Sequence, residues 1–170
     1  STGQDEQRFE RGTALLVPSK LALFVQENPQ LALTYLEQGF DQMRARKDRL
    51  VLASLFFLES WAHINMQQYA QAQLALEQAH ATAKDLDSLQ IQLMLRFLTL
   101  RLRWFQEHDR ALLPAAHDVL EEFVNVGMTG YYELIYEDLR QWKNILTDSS
   151  SSATTSTANT GLYQLMEINR

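Results

Sequence analysis

This 170-residue chain contains no cysteine, only three prolines and only six glycines. Without cysteine it can form no disulfide framework and has no thiolate for catalysis or metal binding. The scarcity of proline and glycine leaves few signals for tight turns, which disfavours a sheet of many short strands. Because the absence of cysteine fits a reducing compartment, we expect a cytoplasmic protein.

Basic charge and long apolar runs are also scarce. The formal net charge is −6, so we expect no nucleic-acid binding through a broad basic surface. The longest apolar run, LVLASLFFL at 50–58, falls far short of the roughly 20 residues of a membrane-spanning helix. The polar first residues lack the apolar segment of a signal peptide. We therefore expect neither a membrane nor a nucleic acid as partner.

Apolar residues at helical spacing dominate what is present. Residues 49–65 and 89–105 are apolar on nearly every face, whereas 68–84 and 110–125 each have one polar face. A helix that is apolar on most faces must be covered on most faces. The pattern predicts an all-α domain over residues 1–147, in which apolar inner helices pair with amphipathic outer ones.

Three similar stretches recur along this domain: ALTYLEQG at 32–39, AQLALEQA at 72–79 and AHDVLEEF at 116–123. Each begins with an alanine, a residue small enough for two helices to approach closely. Repeated helical hairpins predict an α-solenoid, a right-handed superhelix of about three antiparallel hairpins followed by a terminal helix.

Local signals predict where several helices begin and end. Asn28 can cap a helix that has Pro29 at its first position, and Asp87 or Ser88 can cap the helix that starts near residue 89. Pro18 should kink or split a helix over residues 9–26. Gly127 and Gly130 are expected to bracket the turn before the terminal helix.

The middle repeat resembles a tetratricopeptide (TPR) repeat. Tyr69, Ala72, Leu76 and Ala79 fall where that family has its aromatic, small, large apolar and second small residue, whereas Ser60 stands where the family has glycine. The resemblance covers roughly residues 30–125, and the longer period is similar to that in sensor domains of maltose-activator-type bacterial regulators. It implies a surface that binds a protein or peptide, lined by the first helix of each hairpin. It implies no catalysis and no cofactor.

Helical spacing predicts which residues line such a concave face. The polar stripe on the helix over 89–105 includes two arginines, and arginine suits carboxylate binding, so an acidic partner is expected. Alternatively, Arg96 and Arg103 pair with acidic residues of a neighbouring helix, and Arg101 is structural. The candidate residues are Ser54, Trp61 and Asn65 on the predicted helix over 49–65, and Arg96, Thr99, Arg103 and Gln106 on or just after the one over 89–105.

Histidine and glutamate pairs raise one catalytic alternative, a metal-dependent helical-bundle enzyme. The pairs are Glu77 with His80, Glu59 with His63, and His117 with Glu121. A di-iron bundle requires two Glu-x-x-His pairs and two further glutamates, and this chain has only one such pair. We therefore expect solvated ion pairs, with no metal site and no catalytic residue.

The last residues have a different composition. Nine of the thirteen residues in 148–160 are serine or threonine, which predicts a flexible linker. Residues 161–170 carry Leu162, Leu165 and Met166 at helical spacing. This segment resembles the helix that leads into GAF-type sensory domains, and less closely the opening motif of diguanylate cyclase domains. The natural chain is therefore expected to continue past Arg170.

Two further possibilities stay open for this segment and for the whole chain. The segment 161–170 could instead dock as an amphipathic helix, in the same chain or on a second copy. A homo-oligomer could thus form through this tail, or through the ends of the repeat array. For the whole chain, the first hypothesis is a non-catalytic sensor or interaction module of a bacterial signalling or transcription regulator. The second hypothesis is a stand-alone TPR adaptor or co-chaperone.

Overall fold

The computed structural model describes residues 16–127 and 129–148, which form seven α-helices and contain no strand. The prediction of an all-α fold is confirmed. Helix α1 continues directly into a π-helical turn, Leu21–Val25. The helices are α1 Leu16–Lys20, α2 Pro29–Arg46, α3 Arg49–Asn65, α4 Tyr69–Ala83, α5 Leu89–Glu107, α6 Leu112–Asn125 and α7 Thr129–Asp148.

The chain divides into two compact units, residues 1–91 and residues 92–170. The first unit contains α1 to α4, in which α3 packs against α4 along its length and against α2 on another side. The second unit contains nearly all of α5, together with α6 and α7.

The predicted caps form at the starts of α2 and α5. The side-chain oxygen of Asn28 accepts a hydrogen bond from the Leu31 backbone N–H at 3.0 Å, with Pro29 in the first position of α2. The Ser88 hydroxyl accepts from the Ile91 N–H at 3.3 Å. These bonds satisfy backbone donors that have no partner within the helix. Ser88, rather than Asp87, thus caps α5.

Most turns between helices use a residue in the left-handed conformation. Glu27, Lys47, Gln67 and His108 have φ between 50° and 60°, and Gly127 has φ of 75°. In the first three turns the next residue precedes the following helix directly, so the chain reverses within a few residues. Only one of these five positions is glycine, which explains why the sequence gives few turn signals.

The sequence predicts a disturbed helix near Pro18 and a turn that includes Gly130. The helix that contains Pro18 changes from α to π geometry at Leu21, while the turn before Pro18, where a proline disturbs a helix, lies outside the described residues. Gly130 was expected in the turn before the last helix, but α7 begins at Thr129 and includes it. Gly127 alone supplies the glycine of that turn, because its positive φ already reverses the chain.

The repeated small residues lie where helices of the first unit meet. Ala32, Ala72 and Ala79 are fully buried. A Cβ on Gly39 would lie 3.1 Å from a methyl carbon of Leu55, which shows how closely α2 approaches α3. Where the TPR family has glycine, Ser60 donates a buried hydrogen bond of 2.8 Å to the Ala72 carbonyl and so links α3 to α4.

A stack of aromatic rings and a buried ion pair join α5 to α7 in the second unit. Phe97 and Trp104 lie on either side of Trp142, with ring centroids 5.8 and 5.2 Å from it. Between them on the same face of α5, the Arg101 Nε donates to Asp138 at 3.0 Å. Both side chains of this pair are almost completely buried. Arg101 therefore belongs to the core of this unit.

Candidate functional site

A pocket of about 400 Å³ opens between α2 and α3 in the first unit. Six of its lining residues follow one face of α2, at spacings of three and four residues, and two lie one turn apart on α3. It combines apolar side chains with charged ones. The lining residues are Leu33, Leu36, Glu37, Phe40, Asp41 and Arg44 from α2, and Glu59 and His63 from α3.

The apolar part of the lining comes from α2. Leu36 is buried, and Leu33 and Phe40 are half-buried at the helix surface. The Phe40 ring packs against Phe56 of α3 with centroids 4.7 Å apart. This contact is part of the packing between the two helices, so the apolar wall is held by the fold itself. An apolar wall with a few polar groups is typical of ligand pockets.

Glu59 is the most buried carboxylate of the pocket. Its side chain is 29% exposed, and burial raises the pKa of its carboxyl group, while the nearby His63 partly offsets this effect. The closest ionisable nitrogen is the Nε2 atom of His63, 3.9 Å from Oε1, which is too far for a hydrogen bond. Within the part of the chain that the structure describes, no hydrogen bond reaches the Glu59 carboxylate.

His63 is oriented by a residue of the following turn. Its Nδ1 atom lies 2.7 Å from the side-chain oxygen of Gln68. An amide oxygen only accepts hydrogen bonds, so this assignment of the amide places the ring proton on Nδ1. The ring is thereby held beside Glu59, with Nε2 3.9 Å from the carboxylate oxygen Oε1.

The rim of the pocket carries more negative than positive charge. Glu37 and Asp41 are exposed carboxylates on α2, and Arg44 lies 3.5 Å from Asp41 with both side chains largely in solvent. Such an exposed pair contributes little to stability. With Glu59, the lining has three carboxylates against one arginine and one histidine.

The three residues of α3 that the spacing predicts on one concave face, Ser54, Trp61 and Asn65, differ in their burial. Trp61 is fully buried and packs against Phe24 and Phe57, with ring centroids 5.5 and 5.8 Å away. It therefore lies in the core and not on an exposed face. Ser54 and Asn65 are half-buried, and the Ser54 hydroxyl donates to the Leu50 carbonyl.

The two residues of α3 that line the pocket, Glu59 and His63, lie two positions before the predicted Trp61 and Asn65. They are half-buried, as are Leu52 and Phe56 on the same face of the helix. Because α3 is apolar on nearly all sides, periodicity alone does not tell which face is left uncovered. The signal that could have found it was the pair of charged residues, Glu59 and His63, which the sequence suggested only as a weak metal pair.

The predicted stripe on α5 does share one face in the second unit. Arg96, Arg103 and Gln106 are exposed and Thr99 is half-buried. Arg96 contacts both carboxylate oxygens of Glu122 on α6 at 3.0 Å. Arg103 lies 3.6 Å from Glu107, one turn along its own helix. Arg96 thus pairs with an acidic residue of a neighbouring helix, as in the alternative interpretation, whereas the acidic neighbour of Arg103 lies on its own helix.

The remaining predicted features give no further site in residues 16–127 and 129–148. No group of three or more histidine, aspartate or glutamate side chains there could hold a metal ion. None of the helices within these ranges is long and apolar enough to cross a membrane. Leu162, Leu165 and Met166, predicted to dock, lie outside the described residues, as do the linker 148–160, apart from Asp148, and the segment 161–170.

Comparison with known proteins gives no family for this chain. No protein-family model matches it, and the comparisons with curated proteins and with solved structures found no match.

Proposed function

We propose that this protein is a non-catalytic binding module that takes a segment of a protein or peptide into the pocket between α2 and α3. The observation that carries the proposal is the pocket itself, with its volume of about 400 Å³, its apolar wall and its charged rim. Apolar side chains supply affinity in such sites, and a few polar groups fix the orientation of the ligand.

The pocket is suited to binding because both of its walls are helices. Gly39 and Leu55 hold α2 close to α3, and the ring contact between Phe40 and Phe56 lies beside the pocket. A site whose walls are already packed loses little conformational entropy when a ligand binds. The resemblance to TPR repeats supports the same class of function, a surface for protein or peptide recognition.

The proposal extends to the setting of the module. We propose that its hairpins stack as a TPR-like solenoid and that it serves as the sensor or interaction part of a larger bacterial signalling regulator. The repeated buried alanines Ala32, Ala72 and Ala116 support the stacking, since each lies fully buried on the second helix of a predicted hairpin.

A selection from a displayed library of random peptides tests the binding function. The full chain is used as bait, and recovered peptides are then measured against two variants. Leu33→Trp adds bulk at the half-buried edge of the pocket, whereas Leu74→Trp makes the same change at an exposed leucine of α4 outside it. Circular dichroism confirms that both variants keep their helix content.

We expect recovered peptides to bind the wild-type chain and Leu74→Trp equally, and to bind Leu33→Trp at least about tenfold more weakly, since a filled pocket excludes its ligand. Recovery of no binding peptide would overturn the proposed function. Equal binding to all three proteins would overturn it as well, because the peptides would then bind elsewhere.

A further inference from the structure

The charges of the pocket between α2 and α3 point to the chemistry of its ligand. We infer that the pocket receives an arginine or lysine side chain of the bound segment and that Glu59 is its carboxylate partner. This inference rests on the proposed function, since it names the partner chemistry of the same site.

The first argument is the state of Glu59. Its side chain is 29% exposed, no hydrogen bond reaches its carboxylate within the described residues, and His63 Nε2 lies 3.9 Å from Oε1. Partial burial disfavours the charged form of such a carboxylate, and burial accordingly raises the pKa of Glu59. A ligand that brings a cation with N–H donors would satisfy it.

The second argument is the arrangement around Glu59. His63 Nδ1 lies 2.7 Å from the Gln68 side-chain oxygen, whereas its Nε2 lies 3.9 Å from Glu59, beyond hydrogen-bonding distance, so that carboxylate is available to a ligand. The rim adds two exposed carboxylates, Glu37 and Asp41, against the single arginine Arg44. A rim with excess negative charge steers cationic ligands toward the pocket.

The third argument is the apolar wall formed by Leu33, Leu36 and Phe40. Arginine and lysine place their aliphatic stems along apolar surface while their charged ends reach polar groups. A pocket with an apolar wall and a carboxylate on the opposite helix matches both parts of such a side chain. A metal ion fits less well, because no group of three ligating side chains is present in the described residues.

Peptides recovered in the selection described above serve as the probes. In each peptide, every arginine or lysine is replaced singly by norleucine, which keeps the aliphatic stem and removes the charge. Affinities for the full chain are measured by isothermal titration calorimetry. We expect one basic position per peptide at which norleucine weakens binding about tenfold or more, the typical effect of losing a charge-assisted hydrogen bond.

Two variants of the protein then identify the partner carboxylate. Glu59→Gln removes the charge in the pocket with little change of shape. Glu77→Gln removes the same charge from an exposed position of α4 outside the pocket. We expect Glu59→Gln to weaken the arginine or lysine peptide about tenfold and to leave the norleucine peptide unchanged. Glu77→Gln should leave both affinities at the wild-type value.

The outcomes separate this inference from the proposed function. If no peptide is recovered at all, the proposed function fails and the inference with it. If recovered peptides bind in the pocket but tolerate norleucine at every basic position, or contain no basic residue, only the inference is overturned. Equal losses in Glu59→Gln and Glu77→Gln would also overturn it, because the effect would then be one of net charge.

Discussion

Replacing Arg101 with methionine should destabilise the second unit strongly. The Arg101 and Asp138 side chains are 0% and 2% exposed, and Nε lies 3.0 Å from Oδ2. At that distance and an effective dielectric constant of about 20, two unit charges attract each other by about 5 kcal/mol. Burial raises the pKa of Asp138, while the guanidinium lowers it toward its ordinary value. Arg101→Met removes this compensation and leaves a buried carboxylate.

Breaking a buried ion pair by removing one partner typically costs about 3–5 kcal/mol, and we expect a loss of this size. The chain offers a matched control in Arg140 and Glu137, whose Nε and Oε2 are also 3.0 Å apart but whose arginine side chain is 46% exposed. Arg140→Met should cost less than about 1 kcal/mol, because exposed pairs are screened by solvent.

Urea denaturation, followed by circular dichroism and by tryptophan fluorescence, measures both variants. The loss in Arg101→Met should shrink as the pH is lowered through the pKa of Asp138 in the variant, because protonation of Asp138 removes the buried charge. A free-energy loss in Arg101→Met no larger than that in Arg140→Met would refute the reasoning. So would a loss that does not change on acidification.

Two further predictions concern the first unit. Gln67→Gly should raise the free energy of unfolding by about 0.5–1 kcal/mol, because Gln67 has a φ of 60° that glycine adopts without strain. The control is Gln68→Gly at the next position, which should give no gain. Urea denaturation measures both variants. Burial raises the pKa of the Glu59 carboxyl group in the folded protein. Such a group contributes stability at pH values below its pKa in the unfolded chain, and this contribution is lost as the pH rises through its pKa in the folded protein. The stability of Glu59→Gln relative to wild type should therefore increase with pH over that window, and a constant or falling difference would contradict this prediction.

The helices and their caps could be predicted from sequence because their signals are local. Hydrophobic periodicity marked the apolar segments, and Asn28 and Ser88 cap helices as expected. The repeated alanines marked buried positions for the same reason, since a small residue recurring at one place in a periodic pattern indicates close packing. The exposed face of α5 was also predictable, because its polar residues interrupt an otherwise apolar helix.

The pocket could not be predicted because it depends on how the helices pack against one another. Helix α3 is apolar on nearly every side, so its uncovered face is decided by where α2 and α4 lie. Glu27, Lys47 and Gln67 adopt the left-handed conformation although none of them is glycine, so the sequence does not indicate it. They lie where the chain reverses between packed helices. The pairing of Arg96 with Glu122 joins residues of two helices and likewise follows from tertiary structure.

The most direct test of the account is the footprint of a recovered peptide on the full chain, measured from amide shifts in two-dimensional ¹H–¹⁵N spectra. The proposed function predicts that the shifts concentrate on the pocket residues of α2 and α3, from Leu33 to Arg44 and around Glu59 and His63. Under this account the amides of the α5 stripe, around Arg96 and Arg103, stay unchanged. A footprint centred on the α5 stripe, with the pocket amides unmoved, would contradict the claim that the pocket is the binding site.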